Sequence, residues 1–226
     1  MSAIVLMSCA KNDNPFFSAY ENEYGAPPFD KIKTEHYMPA FIEGIKQHQA
    51  EIDAIANSSD EPTFANTIEA LDYSGDLLNK VNAVFFNLYS STSNEEMEKI
   101  ATEVSPLLSE HNDNMYLNEK LFEKVKTLYN NKAKLGLTAE QARLLDDYYK
   151  NFIRSGAALN PAQKESLRTI NKELGLAELE FGQNVLAETN AYKKVITNES
   201  DLAGLPEGVR QAAADAAKEA GMEGKW

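Results

Sequence analysis

Apolar residues recur at intervals of three and four through almost the whole of this 226-residue chain. That spacing matches the 3.6-residue turn of an α-helix, and strand character is close to nil until the last residues. Only 8 Pro and 11 Gly interrupt it, which leaves room for long helices. The pattern therefore restricts the chain to an all-α, multi-helix body, with a strand expected to begin only at its end, around Trp226.

Residues 14–33 are irregular because Pro15, Gly25, Pro27 and Pro28 interrupt them. Thr34 reads as the cap of a first helix carrying Met38, Phe41, Ile42, Ile45, Ile52 and Ile55, with Pro39 accommodated in its first turn. A single second helix is expected from about Asn66 to Tyr89, and Ser93 with Glu96 forms a capping box for the third. The third helix would carry Met97, Ile100, Val104, His111 and Met115, with a kink at Pro106. Asn118 opens a shorter helix, and Thr138 with Gln141 caps the next, which Ser155-Gly156 stops. Asn160-Pro161 restarts the chain in a helix expected to persist to about Val195. A final Ala-rich helix runs from Pro206 to Ala220, with Gly221 as its left-handed stop.

Charge excludes some partners. With 22 Lys and Arg against 35 Asp and Glu, the net charge is −13, unsuited to the phosphate backbone of nucleic acids or to an anionic membrane surface. No apolar run reaches the ~18 residues that a transmembrane span needs. The single cysteine allows no internal disulfide, but its setting is informative. Cys9 follows Ile4-Val5-Leu6-Met7-Ser8, and Leu at −3 with Ser at −1 is similar to the lipobox of bacterial lipoproteins. On that reading Cys9 is lipidated, residues 1–13 are a truncated lipoprotein signal and tether, and residues 14–226 are the folded body. The protein would then sit on the periplasmic side of a bacterial membrane; without the anchor it would be cytoplasmic.

Chemistry is sparse. His36, His48 and His111 form no His-Glu-x-x-His motif, and no two share a helix face by spacing. His48 and Glu51 lie three apart and supply only two ligands, so they read as a solvated polar face. His111, on an apolar stripe, reads as hydrogen-bonded and partly buried, and His36 as a local contact at a helix start. The pairs Glu95-Glu96 and Asp146-Asp147 suit helix starts or a solvated surface. Of Phe16-Phe17, Phe85-Phe86 and Tyr148-Tyr149, each helical pair can place only one ring fully in the core. No catalytic residue and no metal ligand is assigned within the chain, and substrate-contacting residues stay unassigned.

Several segments in order nonetheless carry a resemblance. They are Asn14-Pro15-Phe16-Phe17, Gly25-Ala26-Pro27-Pro28-Phe29-Asp30, Pro62-Thr63-Phe64-Ala65-Asn66-Thr67, Phe181-Gly182-Gln183-Asn184 and Gly221-Met222-Glu223-Gly224-Lys225-Trp226. Together they resemble the N-terminal portion of the M3 (thimet oligopeptidase) family of zinc metallopeptidases, in particular the bacterial peptidyl-dipeptidases. The resemblance implies a helical lobe beside a channel for short peptides. It also implies a zinc-dependent parent enzyme that releases C-terminal dipeptides. Zinc would be held by a His-Glu-x-x-His motif that this chain lacks, so the chain alone would be inactive and bind no zinc. The competing reading is a non-catalytic helical module that binds peptides.

Overall fold

The computed structural model describes residues 14–226, so the lipobox-like segment around Cys9 lies outside the described residues. Among the described residues all regular structure is helical. The chain divides into two compact units, one ending at Leu179 and the other spanning Glu180–Trp226.

The first unit opens with a turn of 3-10 helix at Pro15–Phe17, followed by α1 (Thr34–Asn57). A wide helical turn over Phe64–Glu69 leads into a single α-turn, α2 (Ala70–Asp72). Then come α3 (Asp76–Thr92), α4 (Glu95–Tyr116), α5 (Glu119–Asn131) and α6 (Ala139–Arg154). The helix α7 (Pro161–Ala191) begins in this unit.

Local chemistry explains most of these ends. The Asn118 side chain accepts the Leu121 N–H at 3.1 Å, and Thr138 with Gln141 forms the expected reciprocal cap. Gly156, at φ +92°, follows the end of α6, where a side chain would strain the backbone. Two expected caps differ. Asn94, not Ser93, caps α4 by accepting the Met97 N–H at 3.0 Å. Lys33 precedes α1 as its cap, with His36 Nδ1 accepting the Lys33 N–H at 3.0 Å, so Thr34 is already helical and Pro39 lies beyond the first turn.

The single second helix expected over residues 66–89 is two elements. Gly75 takes φ +77° and turns the chain between α2 and α3, while Thr63 and Asn66 cap the wide turn reciprocally. By contrast α4 passes unbroken through Pro106.

Two apolar clusters make up the core of this unit. Phe16, Tyr37, Phe41, Val81, Phe85, Met97 and Val104 build one, where α1, α3 and α4 meet. Ile52, Ile68, Leu71, Leu121, Val125, Leu145 and Phe152 build the other, joining α1 to α5 and α6. Helix α1 serves both, and Gly44 lets it approach α3 closely: a Cβ there would lie 3.0 Å from the Leu78 backbone. At the start of α7, buried Lys164 donates to the Leu117 carbonyl at 3.2 Å and to Glu119 at 3.3 Å, fastening the α4–α5 elbow.

In the second unit α7 ends at Ala191, short of the expected Val195. A 3-10 turn at Glu199–Leu202 precedes α8 (Glu207–Glu219). Gly221, at φ +73°, ends α8 as expected, and the Met222 N–H reaches back to the Ala217 carbonyl at 2.8 Å. Ile196 and Trp226 exchange both backbone hydrogen bonds, at 2.7 and 3.0 Å, the pattern of an antiparallel strand pair.

Candidate functional site

The two apolar clusters are separated by a polar seam. On α1, His48 lies between Phe41 and Ile52; on α4, His111 lies between Val104 and Met115; Ser74 and Gly75 lie between Leu71 and Leu77. These positions meet. His111 Nε2 is 2.9 Å from His48 Nδ1, and His48 Nε2 is 3.0 Å from the Ser74 hydroxyl. The imidazole planes cross at 60° with centroids 4.8 Å apart.

The direction of this relay follows from its far end. The Ser74 hydroxyl donates to the Leu71 carbonyl at 2.6 Å, so its oxygen accepts the N–H of His48 Nε2. His48 Nδ1 is then an acceptor, and His111 Nε2 must donate to it. Both rings are neutral, and His111 Nδ1 is buried with no hydrogen-bond partner. Burial, and then the neighbouring His48, lowers the pKa of His111 to about 4. Burial also lowers that of His48, against an opposing pull from Glu51.

Glu51 completes the seam by accepting the Gly75 N–H at 2.7 Å. Gly75 in turn lies under the His48 ring, 3.0 Å from where its Cβ would be. The expectation that His48 and Glu51 form a solvated polar face is therefore corrected. His48 is half-buried and bonded at both nitrogens, and only Glu51 is exposed. His111 is 6% exposed and hydrogen-bonded from the apolar stripe of α4. His36 makes the local helix-start contact described above.

The Phe pairs each place one ring in the core, whereas Tyr148 and Tyr149 are both half-buried. Phe85 is fully buried while Phe86 is half-exposed, and Phe16 is buried beside a half-buried Phe17. Tyr149 stacks on Tyr129 at 3.8 Å, and the Tyr148 hydroxyl donates to Asp72 at 3.3 Å. Asp146 and Asp147 pair with Lys132, Lys150 and Arg143, and Glu95 and Glu96 occupy the first turn of α4.

Among the described residues no group of three or more His, Cys, Asp or Glu is placed to hold a metal. The histidine pair spends its facing nitrogens on each other and its carboxylate neighbour on Gly75. These residues do not fit a zinc ion. A groove of about 490 Å³ runs beside the pair between α1 and α4, lined by Ile42, Ile45, Gln49, Leu107, Glu110 and His111 among others.

No protein-family model matches the chain. Individual proteins do. Over 213 residues, 94% of this chain, it is 38% identical to a dipeptidyl carboxypeptidase of Escherichia coli and 37% identical to that of Salmonella typhimurium. An oligopeptidase A of Haemophilus influenzae is 29% identical over 203 residues. Its homologues are thus peptidases of the M3 family. It spans about a third of the length of these relatives, 31% for the carboxypeptidases and 30% for the oligopeptidase. Within this chain the histidine seam joins α1, α4 and the α2–α3 elbow, and no helix among the described residues is long and apolar enough to cross a membrane.

Proposed function

We propose that this chain is the N-terminal lobe of a zinc-dependent peptidyl-dipeptidase, a parent enzyme that hydrolyses short peptides and releases C-terminal dipeptides. The observation that carries the reading is the gradient of similarity. Identity is 38% to a dipeptidyl carboxypeptidase and 29% or less to the oligopeptidases A, over nearly the same residues. Zinc and its water-activating Glu would be supplied by sequence outside this chain, which is inactive by itself. The apolar surface of the second unit supports that view, since Phe181 is 71% exposed, with Val185 and Leu186 near it also bare.

The test has two arms. The 226-residue chain, incubated with an N-blocked oligopeptide and zinc, is expected to release no dipeptide. A product extended through the reading frame beyond Trp226 is expected to release dipeptides and to lose that activity on chelation. Dipeptide release by the chain alone, or a frame without His-Glu-x-x-His, would overturn the proposal. Zinc-independent peptide binding by the chain would favour the non-catalytic module instead.

We further propose that Cys9 carries a lipid anchor, on the strength of Leu6 and Ser8 flanking it in lipobox positions. Metabolic labelling with a radioactive or clickable fatty acid in a bacterial host, using the gene with its native upstream sequence, is expected to mark the protein. The Cys9→Ala variant should lose the label and leave the membrane fraction. Equal labelling of both, or labelling of neither, would refute the anchor and favour a cytoplasmic protein.

A further inference from the structure

We infer that the His48–His111 pair is a proton-operated latch, which holds α1, α4 and the α2–α3 elbow together at neutral pH and releases them in mildly acidic solution. The geometry carries this inference. Three separate chain segments cross the seam between the two apolar clusters, and α1, through the two nitrogens of His48, hydrogen-bonds there to each of the other two. Every donor in the relay from His111 through His48 and Ser74 to Leu71 has one acceptor, and the chain of bonds runs in one direction.

An added proton has no good place to go. On His111 it would sit at the buried Nδ1, which faces no acceptor. On His48 it would occupy Nδ1 and meet the N–H of His111 head-on, 2.9 Å away. Either outcome leaves a buried donor unpaired or breaks the bond between α1 and α4.

The charged groups around the pair do little to offset this. On α1, Glu51 attracts a proton on His48 but is already held by the Gly75 N–H. Lys46 and Asp53 on α1 and Glu110 on α4 border the groove beside His111. Asp113, also on α4, takes the Asn171 amide of α7 at 2.7 Å, and Asp76 of α3 pairs with Lys80 at 2.7 Å.

The sign follows from linkage. A histidine held near 4 when folded and at its ordinary 6.5 when released contributes its stabilisation fully above 6.5 and loses it as pH falls towards 4. Those two values predict that the released state gains roughly 20-fold in population between pH 7 and pH 5.

Amide hydrogen exchange of the full 226-residue chain, corrected for intrinsic rates, tests this. Protection in the His48 and His111 segments should fall about 20-fold from pH 7 to pH 5. The His111→Gln variant keeps a donor towards His48 but cannot titrate, and it should lose most of that pH dependence. Should that variant fail to fold, NMR titration of the imidazoles in the unaltered protein decides, with the ordinary histidine value of 6.5 as reference. His48 and His111 titrating well below that value would support the latch. Unchanged protection at pH 5, equal pH dependence in His111→Gln, or titration of the pair at or above the ordinary value would overturn it.

Discussion

Phe85→Ala is expected to cost the fold about 3–5 kcal/mol, a large share of the ~5–15 kcal/mol that holds a typical domain together. Phe85 has no exposed surface and is ringed by aromatic neighbours: Tyr37 at 5.0 Å, Phe41 at 5.4 Å and Tyr89 at 6.0 Å between centroids. Truncation removes the apolar transfer term and the edge-to-face contacts, and it leaves a void between α1 and α3. Those helices are already pinned by the approach at Gly44, so the void cannot readily close. Adjacent Phe86, 37% exposed, gives the internal comparison: its replacement by alanine should cost about 1 kcal/mol. Urea unfolding of both variants measures the difference. A loss at Phe85 no larger than at Phe86 would mean that the first cluster repacks freely.

The second large effect is expected at Gly75, where alanine should destabilise by about 2–4 kcal/mol. Two independent strains add. The backbone at φ +77° costs a side-chain-bearing residue about 1–2 kcal/mol wherever it occurs. The new Cβ would also press to 3.0 Å on a His48 ring that bonds to both Ser74 and His111 and so cannot swing aside. Gly136 separates the two strains, because its φ is +63° but nothing lies within 4 Å of its Cβ position. Gly136→Ala should therefore show the backbone cost alone. Equal thermal shifts for Gly75→Ala and Gly136→Ala would remove the His48 ring from the account.

Features with local causes were legible in the sequence. Asn118, the Thr138–Gln141 box, Ser155-Gly156, Asn160-Pro161 and the Gly221 stop each act within one helix turn, and each sits where the sequence places it. The break at Gly75 was hidden because Leu71 and Leu78 are seven apart, which keeps helical phase, so the apolar stripe reads as continuous across the turn. Ser93 and Asn94 are both good caps, and only the packing of Met97 into the first cluster decides between them.

The histidine seam lay further out of reach. His111 on an apolar stripe was a visible signal that a partner exists, but His48 is 63 positions away, and their meeting depends on how α1 crosses α4. Gly44, a small residue on the apolar face of α1, marks where that helix is approached closely.

The backbone pairing of Ile196 with Trp226 has a spectroscopic consequence. Trp226 is the sole tryptophan, and it is fastened within the second unit, whereas nine of the ten tyrosines, all but Tyr192, lie in the first. Tryptophan emission therefore reports on the second unit, while tyrosine signals in near-UV dichroism come chiefly from the aromatic packing of the first. Following both through one denaturant titration would separate the melting of the two units with no label and no mutation.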